Sequence, residues 1–182
     1  NATASTNERT FKCSLLPYTA VGNNMPLIIP SKSVDLFECC VANFTSFVAD
    51  FTVRQKIGGT SLNYFYVKQF PILEPDCYKM QCDWSLKENI EDWIKTRVLE
   101  LSYTAYDLEN FALYCNYSGG PFRWDEERRF PLRSELDAAF FHLYLGTPSK
   151  WQERGTPELL KVFPDAKIVQ TYRDPLQTIP DR

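Results

Sequence analysis

The run Arg54-Gln55-Lys56-Ile57-Gly58-Gly59-Thr60-Ser61-Leu62-Asn63-Tyr64 gathers cations, amides, hydroxyls and two glycines in one short stretch. Glycine has no side-chain bulk, so its backbone can approach a partner closely. Arg and Lys neutralise phosphates, and Gln and Asn match the edge of adenine. With Lys68 a little further on, these types point to a DNA-contacting turn. Its candidate residues are Arg54, Gln55, Lys56, Gly58, Gly59, Thr60, Asn63, Tyr64 and Lys68. The plain alternative is a helix-to-strand turn whose flanking charges are simply solvated. A second segment, residues 121–130, mixes Arg123, Arg128 and Arg129 with Asp125, Glu126 and Glu127. That mixture reads as an ion-pair network docking a loop onto the following helix.

Catalytic constellations are missing from the sequence. It has no phosphate-binding Gly-Lys-Ser/Thr loop, no Gly-x-Gly-x-x-Gly and no Gly-x-Ser-x-Gly elbow. The single histidine, His142, lies in an apolar helical run, where a structural role at a helix C-terminus is the expectation. Six cysteines stand at positions 13, 39, 40, 77, 82 and 115. Cys39 and Cys40 fall inside a helical stripe. Cys77 and Cys82 have no convincing third and fourth ligand for tetrahedral zinc. The expectation is reduced, metal-free thiols in a cytoplasmic protein, with no catalytic residue in the chain.

Those residues must be positioned by the surrounding elements. The 182 residues are 44% hydrophobic and 15% aromatic, enough for a real core, and carry a formal net charge of −3. That charge argues against binding nucleic acid by bulk charge alone. No apolar run approaches the ~20 residues of a membrane helix, and the polar N-terminus shows no signal peptide. The chain starts at Asn1 and ends at Arg182 in a way that reads as a piece of something longer. Residues 10–16 and 25–30 read as strands. From Ser33 the period becomes helical, with Leu36, Cys40, Phe44, Phe47 and Phe51 on one stripe of an apolar helix of about five turns whose end is marked by Gly58-Gly59. The aromatic stretch after Thr60 reads as another strand, with a turn near Lys68-Gln69 and a short extended piece at 71–73. Further on, Ser85 and Glu88 form a capping box for a helix with Ile90, Ile94 and Val98 on its core stripe. A short helix over 104–115 and a third from about Pro131 to Leu145 follow. The expected fold is α+β. Residues 1–76 form a small mixed sheet with a buried helix, and 77–182 form a helical subdomain with an irregular end.

The run from Leu36 to Leu73 resembles a segment of large restriction-modification and phage-defence adenine methyltransferases. In this chain the shared features are Asn43 and Asp50 on the helix, then Arg54-Gln55-Lys56, Gly58-Gly59-Thr60, Leu62, Tyr64-Phe65-Tyr66, Lys68-Gln69 and Pro71. Similar likenesses occur at residues 100–108, at 124–129 and 132–139, and at His142-Leu143-Tyr144, where Leu145 departs from the family's pattern by separating Tyr144 from Gly146. The resemblance implies a C-terminal target-recognition region of a type IIG-like enzyme. Its partners would be double-stranded DNA and the parent's own catalytic domain. The cofactor, S-adenosylmethionine, would sit in that other domain with the Asn/Asp-Pro-Pro-Tyr/Phe tetrapeptide that holds a flipped adenine. No such tetrapeptide occurs in this chain, so no catalytic residue carries over. The rival reading is a structural docking module that holds the methyltransferase core or a partner protein without touching DNA.

Overall fold

The computed structural model describes residues 9–22, 25–29, 36–57, 62–85 and 87–146. Over these residues the chain forms α1 (Phe37–Thr45), α2 (Phe47–Lys56), α3 (Tyr64–Val67), α4 (Pro75–Tyr78), α5 (Ile90–Ser102), α6 (Glu109–Tyr114) and α7 (Glu126–Leu145). A 3-10 turn at Tyr106–Leu108 leads into α6. No strand occurs among the described residues, only an isolated antiparallel bridge between Gln81 and Asn89. The α+β expectation with a small mixed sheet is therefore overturned, and the described chain is helical.

The reason lies in where extended backbone finds its hydrogen bonds. Burial alternates along 10–16: Phe11 is buried, Lys12 exposed, Cys13 half-buried and Ser14 exposed. That period of two is the pattern of a strand, but no neighbouring strand is there. The Thr10 and Phe11 N–H groups donate instead to Asp50 Oδ1, at 2.5 and 3.2 Å. Residues 71–73 behave alike. Leu73 N–H donates to Asn43 Oδ1 at 3.2 Å, and Pro71 carbonyl accepts from the Tyr144 hydroxyl at 2.7 Å. The aromatic run at 64–67 is helical rather than a strand. Tyr66 and Val67 pack inward while Tyr64 and Phe65 are exposed. A short apolar run carries no periodicity that separates the two states. At 25–29 every described side chain is exposed.

The single apolar helix expected ahead of Gly58-Gly59 is two. Ser46 is extended (φ −68°, ψ 154°), ending α1 and capping α2. Its hydroxyl donates to Asn43 carbonyl at 2.8 Å and accepts from Ala49 N–H at 3.3 Å. Thr45 bonds back to the Val41 and Ala42 carbonyls, a habit that bends helices. The break is held from outside. Asp137 of α7 accepts the Phe47 N–H at 2.7 Å, placing a buried carboxylate at the N-terminus of α2, where unpaired donors and the helix dipole favour an anion.

α5 starts at Ile90, later than the Ser85 capping box predicts. Asn89 is the cap, accepting Asp92 N–H at 2.8 Å. The backbone just before it turns back on residues 80–82: Ile90 N–H reaches Met80 carbonyl, and Cys82 N–H reaches Glu88 carbonyl. Ser85 and Glu88 do meet, but side chain to side chain at 3.0 Å. α7 starts five residues before Pro131, because Asp125 accepts the Glu127 and Arg128 N–H groups.

Three apolar clusters hold these elements. The largest joins Cys39 and Ala42 of α1, Tyr78 of α4, Ile90, Trp93, Ile94 and Val98 of α5, and Leu136, Ala139 and Phe140 of α7. A second gathers Phe11, Phe44, Val53 and Phe70. A third packs Leu99 and Tyr103 against Ala112. Lys95 and Glu91 form an i, i+4 pair at 2.9 Å on a mostly buried face. Lys95 Nζ also lies 3.8 Å from the fully buried Glu38 and 3.6 Å from Asp92. Burial alone would lower its pKa, yet the bond to Glu91 and the charges of Glu91, Glu38 and Asp92 hold it above the ordinary lysine value. His142, in the last turn of α7, lies beside Trp84 with ring centroids 6.1 Å apart. Among the described residues, no helix is long and apolar enough to cross a membrane.

Asn43 ties together three residues of the first cluster and its rim. Its amide donates to the Tyr144 hydroxyl at 2.9 Å, and its carbonyl accepts from Leu73 N–H and, at 3.4 Å, from Tyr78. Truncating it strands several buried groups, each worth about 1–3 kcal/mol when left unmade. Asn43→Ala is expected to lower unfolding free energy by about 2–4 kcal/mol, and Tyr144→Phe by a smaller amount. Urea titration checks this, and a loss below the error of the method for Asn43→Ala would remove the residue from its bridging role.

Candidate nucleic-acid interface

The candidate DNA-contacting residues lie at the exit of α2 and on α3. Both elements are seated on the second cluster, since Val53, Ile57, Leu62, Tyr66, Val67 and Phe70 all pack into it. Their apolar sides are thereby committed inward. Gln55 and Lys56 of α2, and Asn63, Tyr64, Phe65, Lys68 and Gln69 around α3, are left on the outside. Gly58, Gly59 and Thr60, the residues chosen for close backbone approach, lie outside the described residues.

The remaining candidates divide by what they touch. Arg54 is half-buried, and its Nε donates to Asp50 Oδ2 at 2.6 Å. Asp50 is only 2% exposed and also accepts the two N–H groups of the 9–22 segment. Arg54 therefore has a structural partner that sequence reasoning did not assign to it. Lys56 and Lys68 are exposed and lie within ion-pair distance of no described carboxylate. Gln55 and Asn63 are exposed, and the Asn63 side chain makes no capping bond to α3. Tyr64 is 51% exposed, with its hydroxyl donating to Leu27 carbonyl at 3.1 Å. The ring is thus held in place while part of its face stays open.

Phe65 was not a candidate. It is 70% exposed, with its ring edge-on to Tyr66 at 5.6 Å between centroids. The strand reading hid it, because alternation would have set it apart from Tyr64 rather than beside it.

Segment 121–130 pairs differently from the local network expected. Arg128 forms a two-pronged bond to Glu100 of α5, at 2.7 and 2.9 Å. Arg133 pairs with Glu126 at 2.5 Å. Arg129 lies over the Trp124 ring at 3.7 Å and donates to Leu101 carbonyl. The bonds from Arg128 to Glu100 and from Arg129 to Leu101 clamp α7 onto α5. The cleft between them, about 190 Å³, is lined by Arg97, Arg128, Glu100 and Glu135. Its charges are matched, since Arg97 binds Glu135 at 2.7 Å.

Charge is therefore distributed unevenly. Residues 9–73 contain Arg9, Lys12, Lys32, Arg54, Lys56 and Lys68 against only Asp35, Glu38 and Asp50. Glu38 and Asp50 are buried, so no described residue in this span exposes a carboxylate. The overall charge of −3 belongs to the rest of the chain, where acids outnumber bases.

No protein-family model matches this chain, and no curated protein or solved structure matches it either.

Two outcomes follow from the site's construction. Breaking a buried ion pair by removing one partner costs about 3–5 kcal/mol. Asp50→Ala also strands two backbone donors, so it is expected at or beyond the top of that range. The partly exposed Arg54→Ala should cost less. Thermal melts of both variants check the order, and an Asp50→Ala protein as stable as wild type would refute the anchoring role. The second concerns the thiols. Burial, with Cys40 nearby, pushes Cys13 up to about 11; burial and the Glu88 charge push Cys82 to about 11; burial and the Glu38 charge push Cys115 to about 12. All three stay protonated at pH 8, so a disulfide reagent should label them slowly in the native protein and rapidly in urea. Mass-mapped labelling at equal rates in both conditions would contradict this.

Proposed function

We propose that this chain is the DNA target-recognition part of a larger S-adenosylmethionine-dependent, adenine-specific DNA methyltransferase of the restriction-modification or phage-defence kind. The observation that carries the reading is the charge asymmetry. Within residues 9–73 the described residues expose Lys12, Lys56 and Lys68 and no carboxylate, whereas α5 and α7 are joined by matched ion pairs. A polyanion is attracted to unpaired cations and gains nothing from paired ones. The resemblance of residues 36–73 to the methyltransferase segment supplies the enzyme class. The methyl-transfer chemistry belongs to another part of the parent. This chain lacks the adenine-holding tetrapeptide, and its described residues contain no glycine loop between a strand and a helix to cradle a nucleotide-like cofactor.

In this reading Lys56 and Lys68 hold phosphates and so set orientation. Gln55 and Asn63 face outward with free amides and can pair with adenine. Arg54 supports the site through Asp50.

A second reading, a docking module, is favoured by one observation. Phe47 and Phe51 stand one turn apart on α2, 43% and 66% exposed. Such rows suit a protein partner.

The test uses the full-length protein and a pool of duplexes with a randomised block. Enrichment of a defined sequence is expected. Lys56→Ala and Lys68→Ala should each weaken binding evenly across sequences and reduce the log–log salt slope by about 0.9. Gln55→Ala or Asn63→Ala should relax one base position by about 1–3 kcal/mol. Arg54→Ala should lower the melting temperature. Failure to enrich any duplex, or an unchanged salt slope in a folded Lys56/Lys68 double variant, would hand the chain to the docking reading.

A further inference from the structure

An exposed aromatic ring one helical turn before the unpaired Lys68 calls for an explanation that phosphate binding does not provide. Phe65 is 70% exposed. It forgoes most of the ~1.5–3 kcal/mol that burying a large apolar side chain yields. It is not a loose side chain on a loose loop. Its neighbours Tyr66 and Val67 are seated in the second cluster, and the Tyr66 ring meets it edge-on. On one side the Tyr64 hydroxyl is fastened to Leu27. On the other, the Gln69 amide donates back to the Phe65 carbonyl at 3.2 Å, closing the end of α3. The phenyl face is therefore presented by a backbone fixed on both sides.

The surroundings identify the occupant. Lys68, one turn further along, and Lys56, at the end of α2, are exposed and unpaired, and no described residue in 9–73 exposes a carboxylate. An anionic partner with a flat apolar surface would answer both the ring and the charge of Lys68 one turn away. Duplex DNA has both, but its base faces become accessible only where the stack opens. An aromatic wedge at a base step, or stacking on an unpaired base, is how proteins use such a ring.

We infer that Phe65 enters the opened base stack of bound DNA and stacks on a base, while Lys56 and Lys68 hold the flanking phosphates. This rests on the DNA-recognition reading and deepens it. No covalent step is involved. The ring replaces a base–base contact with a base–phenyl contact, which lowers the cost of opening the duplex at that step.

The experiment takes the full-length protein and the duplex enriched from the randomised pool, with 2-aminopurine substituted for each adenine in turn. Fluorescence of that base rises when it is unstacked from its neighbours. Outside the target adenine, whose flipping by the catalytic domain raises the signal on its own, wild type is expected to raise it at one or two adjacent positions. Phe65→Ala should abolish the rise and weaken binding about tenfold, with the salt slope unchanged because no charge is removed. Phe65→Trp should keep the rise. The ring is exposed, so circular dichroism of both variants should match wild type. A rise that persists in Phe65→Ala, or that wild type never shows on a duplex it binds tightly, overturns the wedge and leaves the DNA reading standing. Absence of any duplex binding overturns both.

Discussion

Extended backbone buried against helices carries N–H and C=O groups that water cannot reach, and each must find a partner. In this chain the partners are a few buried side chains. Asp50 takes two N–H groups of the 9–22 segment and the Arg54 guanidinium. Asn43 takes Leu73 and Tyr78 and gives to Tyr144, which in turn gives to Pro71. Asp137 takes the first donor of α2 and the Arg9 guanidinium at 2.5 Å. Asp50 and Asn43 do the work that strand pairing would do in a sheet, and Asp137 fixes the break between the helices they sit on. They explain how extended segments lie against helices with no strand among the described residues.

The same arrangement sets what the surface can offer. A carboxylate at position 50 would oppose a phosphate if it were exposed. Buried beneath two backbone donors and an arginine, it is neutralised locally and invisible from outside. Glu38 is likewise buried, near Lys95. With both carboxylates inside, the outward charge of the described residues in 9–73 comes from lysines alone. Arg9 reinforces the arrangement from the other side, with its guanidinium 3.3 Å above the Phe47 ring and its charge answered by Asp137. Of the acids elsewhere, the described ones lie largely in helix first turns and in pairs between α5 and α7.

How much of this was legible in the sequence depended on whether the pattern was local. The apolar stripe Ile90, Ile94, Val98 gave a buried helix face because its period is long and regular. The period of two at 10–16 was real, yet it identified only which side chains face inward. It could not say that the opposing groups are Asp50 and an α-helix rather than a strand. Tyr64-Phe65-Tyr66-Val67 has no period to read. Pro131 suggested a first turn, but the stronger cap, Asp125, lay upstream. Asn43 and Asp50 were visible as a spaced pair, but their roles were not, since each acts on residues about 30 to 100 positions away. The net charge misled because it averages a positive half with a negative one.

Arg54 shows why residue type alone ranks candidates poorly. Arg and Lys are equal as phosphate ligands when only the sequence is known. In the structure, Arg54 lies four residues after Asp50 on one helix, the spacing at which side chains meet. A planar guanidinium that can bind a carboxylate and pack its stem is the better choice for that partly buried position, and a flexible lysine suits the exposed one. Lys56 is two residues further on, rotated away from Asp50, and has no such partner. The Arg-Gln-Lys triplet thus separates into an anchor, an outward-facing amide and a free charge, in the order dictated by helical rotation. A substitution of Arg54 acts on DNA binding only through the placement of the residues that follow it.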